Sequence, residues 1–137
     1  MVRENVQANP GPGFPQHPGY KFDFSPLPQR VRVLVGGACI ADTLRAVQLN
    51  EASYGPVYYI PRGDVRLEAM VRTDHSTYCP FKGDASYWTL AADGAHPQGI
   101  AWSYETPFDE SMMIKDHFAF YGGRVDEIRI DGSIAKP

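Results

Sequence analysis

Val31, Val33 and Val35 alternate with Arg32 and Leu34, and Gly36 and Gly37 follow, so the stretch reads as a strand closed by a turn. The next segment, CIADTLRAVQLNE, fits either a second strand or a short helix. The paired glycines before it favour a hairpin. GPVYYIPRGD joins β-branched and aromatic residues with a proline near each end, the pattern of a strand. PRGDVRLEAMVR has room for one or two helical turns, with Asp64 near the positive end of the dipole. ASYWTLAADG reads as a strand running into a turn. GIAWSYETP alternates, which puts Ile100, Trp102 and Tyr104 on one face. HFAFYGGRVDEIRIDG reads as two strands around a tight turn at Gly122 and Gly123. Short strands between turn signals predict an all-β, mainly antiparallel body with one short helix. No helix is long enough for a parallel crossover, which argues against a dinucleotide-binding fold.

Residues 1–29 break this pattern. They hold six of the twelve prolines, so neither strand nor helix is expected to run through them. This segment is predicted to be an extended arm, and residues 30–137 a single domain. Phe14, Tyr20, Phe22 and Phe24 are too many aromatics for a solvated tail. They predict an arm draped over the body or over a second subunit, which would make the protein a homo-oligomer.

Composition narrows the function classes. A chain of 137 residues fits one domain, and 12% aromatic residues suit strands and pockets better than a helical bundle. The net charge is −3 and the arginines and lysines are scattered, so no basic stripe exists to bind nucleic acid. An acidic surface also repels an anionic membrane. MVRENVQANPGPG has no apolar secretory stretch, and no run approaches a membrane span. The expectation is a cytoplasmic protein whose two cysteines, Cys39 and Cys79, are thiols. Cys39 reads as a small buried hydrophobe.

Candidate chemistry concentrates in RTDHSTYCPFKGDASYW, residues 72–88. Lys82 follows Cys79 by three positions, and a nearby ammonium favours the nucleophilic thiolate. His75 precedes Cys79 by four and is the candidate base. The plainer alternative is a structural turn with an inert thiol and a solvated lysine. Tyr58, Tyr59, Tyr87, Trp88, Trp102 and Tyr104 supply packing or the walls of a polar-ligand pocket. Arg45, among apolar neighbours, calls for a carboxylate such as Glu51, for an anionic ligand, or for a surface partner. The four histidines are far apart and there is no C-x-x-C pair, so no metal site is expected. Phosphate-loop, nucleophile-elbow and dinucleotide motifs are missing, and no cofactor is expected.

GGACIADTLRAVQLNE, PVYYIPRGDV, DHSTYCPFKGDASYW, AWSYETP and FAFYGGRVD together resemble the domain of unknown function 427, from about Val31 to Ile128. The resemblance implies a β-tent, or Mss4-like, fold: two antiparallel sheets meeting over a cleft. Many relatives of that fold tie the sheets with a zinc held by C-x-x-C pairs, which this chain lacks. A nucleotidyltransferase label sometimes given to the family finds no matching magnesium motif here. Family-typical positions fall on Arg45, Glu51, Tyr59, Thr77, Cys79, Lys82, Gly83, Trp88, Trp102 and Tyr104. Tyr78 stands where many relatives have histidine.

The expectation is a small-molecule pocket belonging to an enzyme that acts on a polar or carbonyl-containing metabolite. Cys79, Lys82, His75 and Glu51 are the catalytic candidates. Arg45, Tyr59, Thr77, Trp88, Trp102 and Tyr104 are the binding candidates. The alternatives are a non-catalytic ligand-binding module and an oligomeric interaction domain.

Overall fold

A computed structural model describes residues 8–91, 96–131 and 133–135. The strands in chain order are β1 (Phe22–Leu27), β2 (Val31–Val35), β3 (Ala38–Thr43), β4 (Ala46–Glu51), β5 (Val57–Pro61) and β6 (Met70–Cys79). They are followed by β7 (Gly83–Leu90), β8 (Ala101–Tyr104), β9 (His117–Phe120), β10 (Glu127–Ile130) and β11 (Ser133–Ala135). All strand pairings are antiparallel. A seven-stranded sheet has the order β1-β4-β5-β9-β8-β7-β6, and a four-stranded sheet the order β11-β10-β2-β3. The all-β, mainly antiparallel expectation holds. Among the described residues no helix is long and apolar enough to cross a membrane.

Several local expectations change. The ambiguous CIADTLRAVQLNE segment is β3 and β4, and β2 and β3 form the hairpin over Gly36 and Gly37. The helix expected in PRGDVRLEAMVR is two separate 3-10 turns, Arg62–Asp64 and Leu67–Ala69. The α-helix among the described residues is a single turn, Gly13–Gln16, within the arm. Strand β1 also lies in the arm, contrary to the expectation that prolines would forbid one. It sits at the edge of its sheet, and there a missing proline donor is tolerated, as at Pro26 opposite Val47. Gly122 and Gly123 do not join a hairpin. They begin a 3-10 turn that carries the chain from β9 in the large sheet to β10 in the small one. The turn expected after β7 falls partly outside the described residues.

One face of the large sheet packs on the small sheet. Val31, Val33, Ile128 and Ile130 meet Ile60, Ala101, Phe118 and Phe120, all buried. Each fully buried valine, isoleucine or phenylalanine among them stabilises by about 1.5–3 kcal/mol. The space between the sheets is therefore filled with hydrocarbon.

The large sheet's other face carries a second cluster: Val47, Leu49, Tyr59, Ala85, Tyr87, Tyr104, Ile114 and Ala119. In a flat sheet, the four steps from β4 to β7 would separate those strands by about 19 Å. Instead Glu51, at the end of β4, meets Lys82, in the β6–β7 turn, at 2.8 Å. The sheet is thus rolled, and the second cluster lies inside the roll. Gly83 closes the β6–β7 turn with φ +114, a conformation L-residues rarely adopt. The arm straps the same turn. The Gly13 N–H donates to the Pro80 carbonyl at 3.0 Å, and a Cβ on Gly13 would come within 2.8 Å of the Phe81 ring.

Candidate functional site

Strand register decides which side chains enter the roll. On β6 and β7, Thr77 lies opposite Ala85 and Cys79 opposite Gly83. Ala85 and Tyr87 lie opposite Tyr104 and Trp102 on β8, and Tyr59 on β5 lies opposite Val47 on β4. Two-residue periodicity then brings Glu51, Tyr59, Thr77, Cys79, Tyr87, Trp102 and Tyr104 to one face.

At the closed end, the Lys82 ammonium donates to Glu51 Oε1 at 2.8 Å. The Tyr20 hydroxyl donates to Glu51 Oε2 at 2.5 Å. Lys82 and Glu51 each expose 12% of their side chains. Charges this far from water need such pairing, because an isolated buried ion loses its hydration without compensation. Tyr20 stacks on Phe81 with ring centroids 4.0 Å apart, and Phe14 meets the same ring edge-on at 4.9 Å. The ammonium also lies 5.7 Å from the centre of the Tyr104 ring.

Deeper in the roll, Trp102 donates its indole N–H to the Tyr59 hydroxyl at 3.3 Å. Thr77 and Tyr87 share a hydroxyl–hydroxyl bond of 2.8 Å. Tyr121, just after β9, tilts against Trp102 at 4.5 Å and lies under the Arg124 guanidinium. These phenols hold their protons tightly. Burial raises Tyr59 well above the ordinary phenol value, against the opposing effect of the Trp102 N–H. Burial also raises Tyr104, with the acidic groups around it adding to the effect. Tyr20 is raised by burial and then by its bond to Glu51. Tyr121 is pushed up to about 12 by burial and by Tyr87. At neutral pH all four are neutral and able to donate.

Of the expected catalytic group, Glu51 and Lys82 meet in a direct ion pair. Cys79 is a free thiol, half-buried against the same cluster, but the Lys82 ammonium is directed to Glu51 and no hydrogen bond joins it to the sulfur. His75 does not reach Cys79. It sits four positions back, about 13 Å along an extended strand. A bulge there sets residues 73–75 against Tyr87 alone and lays the imidazole on that ring at 4.4 Å.

Of the binding group, Tyr59, Thr77, Trp102 and Tyr104 enter the roll. Trp88 faces the opposite side, packed edge-on against Phe118 at 5.2 Å and under the Arg62 guanidinium at 5.4 Å. Arg45 is 68% exposed, pairs with Asp64 at 3.2 Å, and lies at the far end of β4 from Glu51. It lines an open hollow of about 550 Å³ with Arg30, Asp42, Thr43, Leu44 and Asp64. The expected hollow between the two sheets, with Arg45 and Trp88 beside Cys79 and Lys82, is therefore corrected. The cluster that does form lies inside the rolled large sheet. Cys39 is half-buried, and its thiol contacts the Ala41 carbonyl at 3.3 Å.

Tyr20, Tyr121 and Phe81 were absent from the expected site. In the sequence, Tyr20 and Phe14 signal only that the arm drapes. No spacing rule links an aromatic before β1 to a turn at the other end of the sheet.

Fold and cluster together define an all-β domain whose larger sheet rolls around an aromatic, hydroxyl-rich interior closed by an ion pair. The chain belongs to the DUF427 family, a domain of unknown function, whose model matches residues 23–131. The match begins within β1, earlier than the expected start near Val31. No curated protein matches the chain.

Proposed function

We propose that the interior of the rolled sheet is a binding site for a small polar ligand that carries a hydrogen-bond acceptor such as a carbonyl group. The observation that carries this reading is the grouping of Tyr59, Tyr87, Trp102 and Tyr104 with the Glu51–Lys82 pair on one enclosed face. Such a mixture of apolar walls and a few placed donors suits a small-molecule site. Enzymatic use of the site falls to Lys82 and Glu51 rather than to a Cys79–His75 pair, because His75 is engaged at the bulge. Non-catalytic binding would use the same walls. It would differ in returning the ligand unaltered.

The chain's two tryptophans permit a clean test. In W88F the sole indole is Trp102, inside the roll. In W102F it is Trp88, on the opposite face. Glycolaldehyde and succinimide serve as small carbonyl probes. The proposal expects saturable quenching in W88F and none in W102F. Equal responses from the two proteins, or no response from either, would remove the site. Chromatography of the recovered probe then separates an enzyme from a binder.

A further inference from the structure

We propose that Lys82 forms an imine with a small aldehyde, with Glu51 as its proton carrier and Tyr104 as donor to the carbonyl oxygen. This inference rests on the binding reading above and names the ligand class and the covalent step.

Three observations converge. First, Lys82 is set apart from Lys21 and Lys115, which are exposed. Its ammonium is nearly enclosed and has a carboxylate at 2.8 Å, a proton acceptor already in contact. Second, the Tyr20 hydroxyl fixes the other oxygen of Glu51, so the carboxylate keeps its aim while its first oxygen exchanges a proton. Third, Tyr104 is 6% exposed, and its ring belongs to the cluster on the same inner face as the ion pair. Burial keeps that phenol protonated at neutral pH, so it can donate to a carbonyl oxygen. Lys82 Nζ lies 5.7 Å from the centre of that ring.

The step balances. Glu51 removes one proton from the ammonium, and the freed lone pair adds to the aldehyde carbon. A C–N bond forms as the C=O π bond breaks, and the oxygen receives a proton from the new ammonium nitrogen, giving a neutral carbinolamine. Tyr104 stabilises the oxygen while it carries charge. Glu51 returns its proton to the hydroxyl, which leaves as water, and the nitrogen lone pair forms C=N. The product iminium keeps one positive charge beside the Glu51 carboxylate, as the ammonium did. No oxidant or reductant is required.

The test is reductive trapping. Incubating the full chain with glycolaldehyde and sodium cyanoborohydride converts any imine to a stable secondary amine, located by peptide mass mapping. The expectation is labelling at Lys82 about tenfold faster than at Lys21 or Lys115. E51Q should slow labelling at Lys82 about a hundredfold, with Lys21 and Lys115 unchanged as internal standards. Should E51Q fold poorly by circular dichroism, Y104F provides the second variant, with a severalfold loss confined to Lys82. Labelling of Lys82 no faster than the exposed lysines overturns the inference. If glycolaldehyde quenches Trp102 in W88F while Lys82 stays unlabelled, the imine is overturned and the binding reading stands. If neither occurs, both are overturned.

Discussion

Lys82 and Glu51 illustrate how much a partly enclosed charge depends on its neighbour. Removing one member strands the other in a place water barely reaches, so E51A should destabilise the fold by about 3 kcal/mol. Urea denaturation measures this, and a loss below about 1 kcal/mol would show that solvent reaches the pair freely. Y20F deletes a single bond to the same carboxylate and should cost about 1–2 kcal/mol. The phenols carry a pH signature. Tyr20, Tyr58, Tyr59, Tyr104 and Tyr121 are all raised by burial from the ordinary value of 10.0. A raised phenol favours the folded state fully while the unfolded chain's phenols stay protonated, below about pH 10. As pH climbs further, the unfolded chain ionises first and stability falls. For Tyr121 the decline spans 10 to about 12. Absorbance at 295 nm should therefore show fewer than eight tyrosines ionising in the native protein near pH 10, the rest following as the fold opens. A single step accounting for all eight, with the fold intact, would contradict the buried placements.

The β6–β7 turn is the element on which the closure depends. Gly83 holds φ +114 there, so Gly83→Ala should cost about 1–3 kcal/mol and loosen the position of Lys82. Thermal melting measures the loss, and an unchanged melting temperature would mean the turn tolerates a side chain. The arm is the turn's strap. Its Phe14 and Tyr20 rings pack on Phe81 of the same chain. Deleting residues 1–21 should therefore raise amide exchange around 80–83 while leaving the number of chains per particle on gel filtration unchanged. A drop to half the mass would instead assign the arm to subunit assembly.

Much of this element list was legible beforehand. Valines at every second position announced β2, and flanking prolines announced β5. Strand β1 was hidden because prolines argue against ladders in general, and only its edge position makes Pro26 harmless. The break between β9 and β10 was hidden because two glycines suit a hairpin and a sheet-to-sheet crossing equally well. Trp88 and Trp102 could not be sorted to opposite faces without register. Arg45 lay outside the cluster for a reason of length: β4 separates it from Glu51 by about 20 Å of extended chain.

At the scale of the whole molecule, one sheet does two jobs. Its outer face seals a hydrocarbon core against the smaller sheet, and its inner face curls around hydroxyls, indole and a single ion pair. The roll depends on residues from opposite ends of the strand order coming into contact, and the Glu51–Lys82 pair is the most specific of those contacts. A double-mutant cycle on stability, built from E51Q, K82M and E51Q/K82M, isolates their interaction from everything else each side chain does. A closed roll predicts a coupling energy of about 2 kcal/mol or more, with the double variant more stable than the sum of the single losses implies. A coupling below about 0.5 kcal/mol, the level of an exposed pair, would mean that the two ends of the sheet are not held together there.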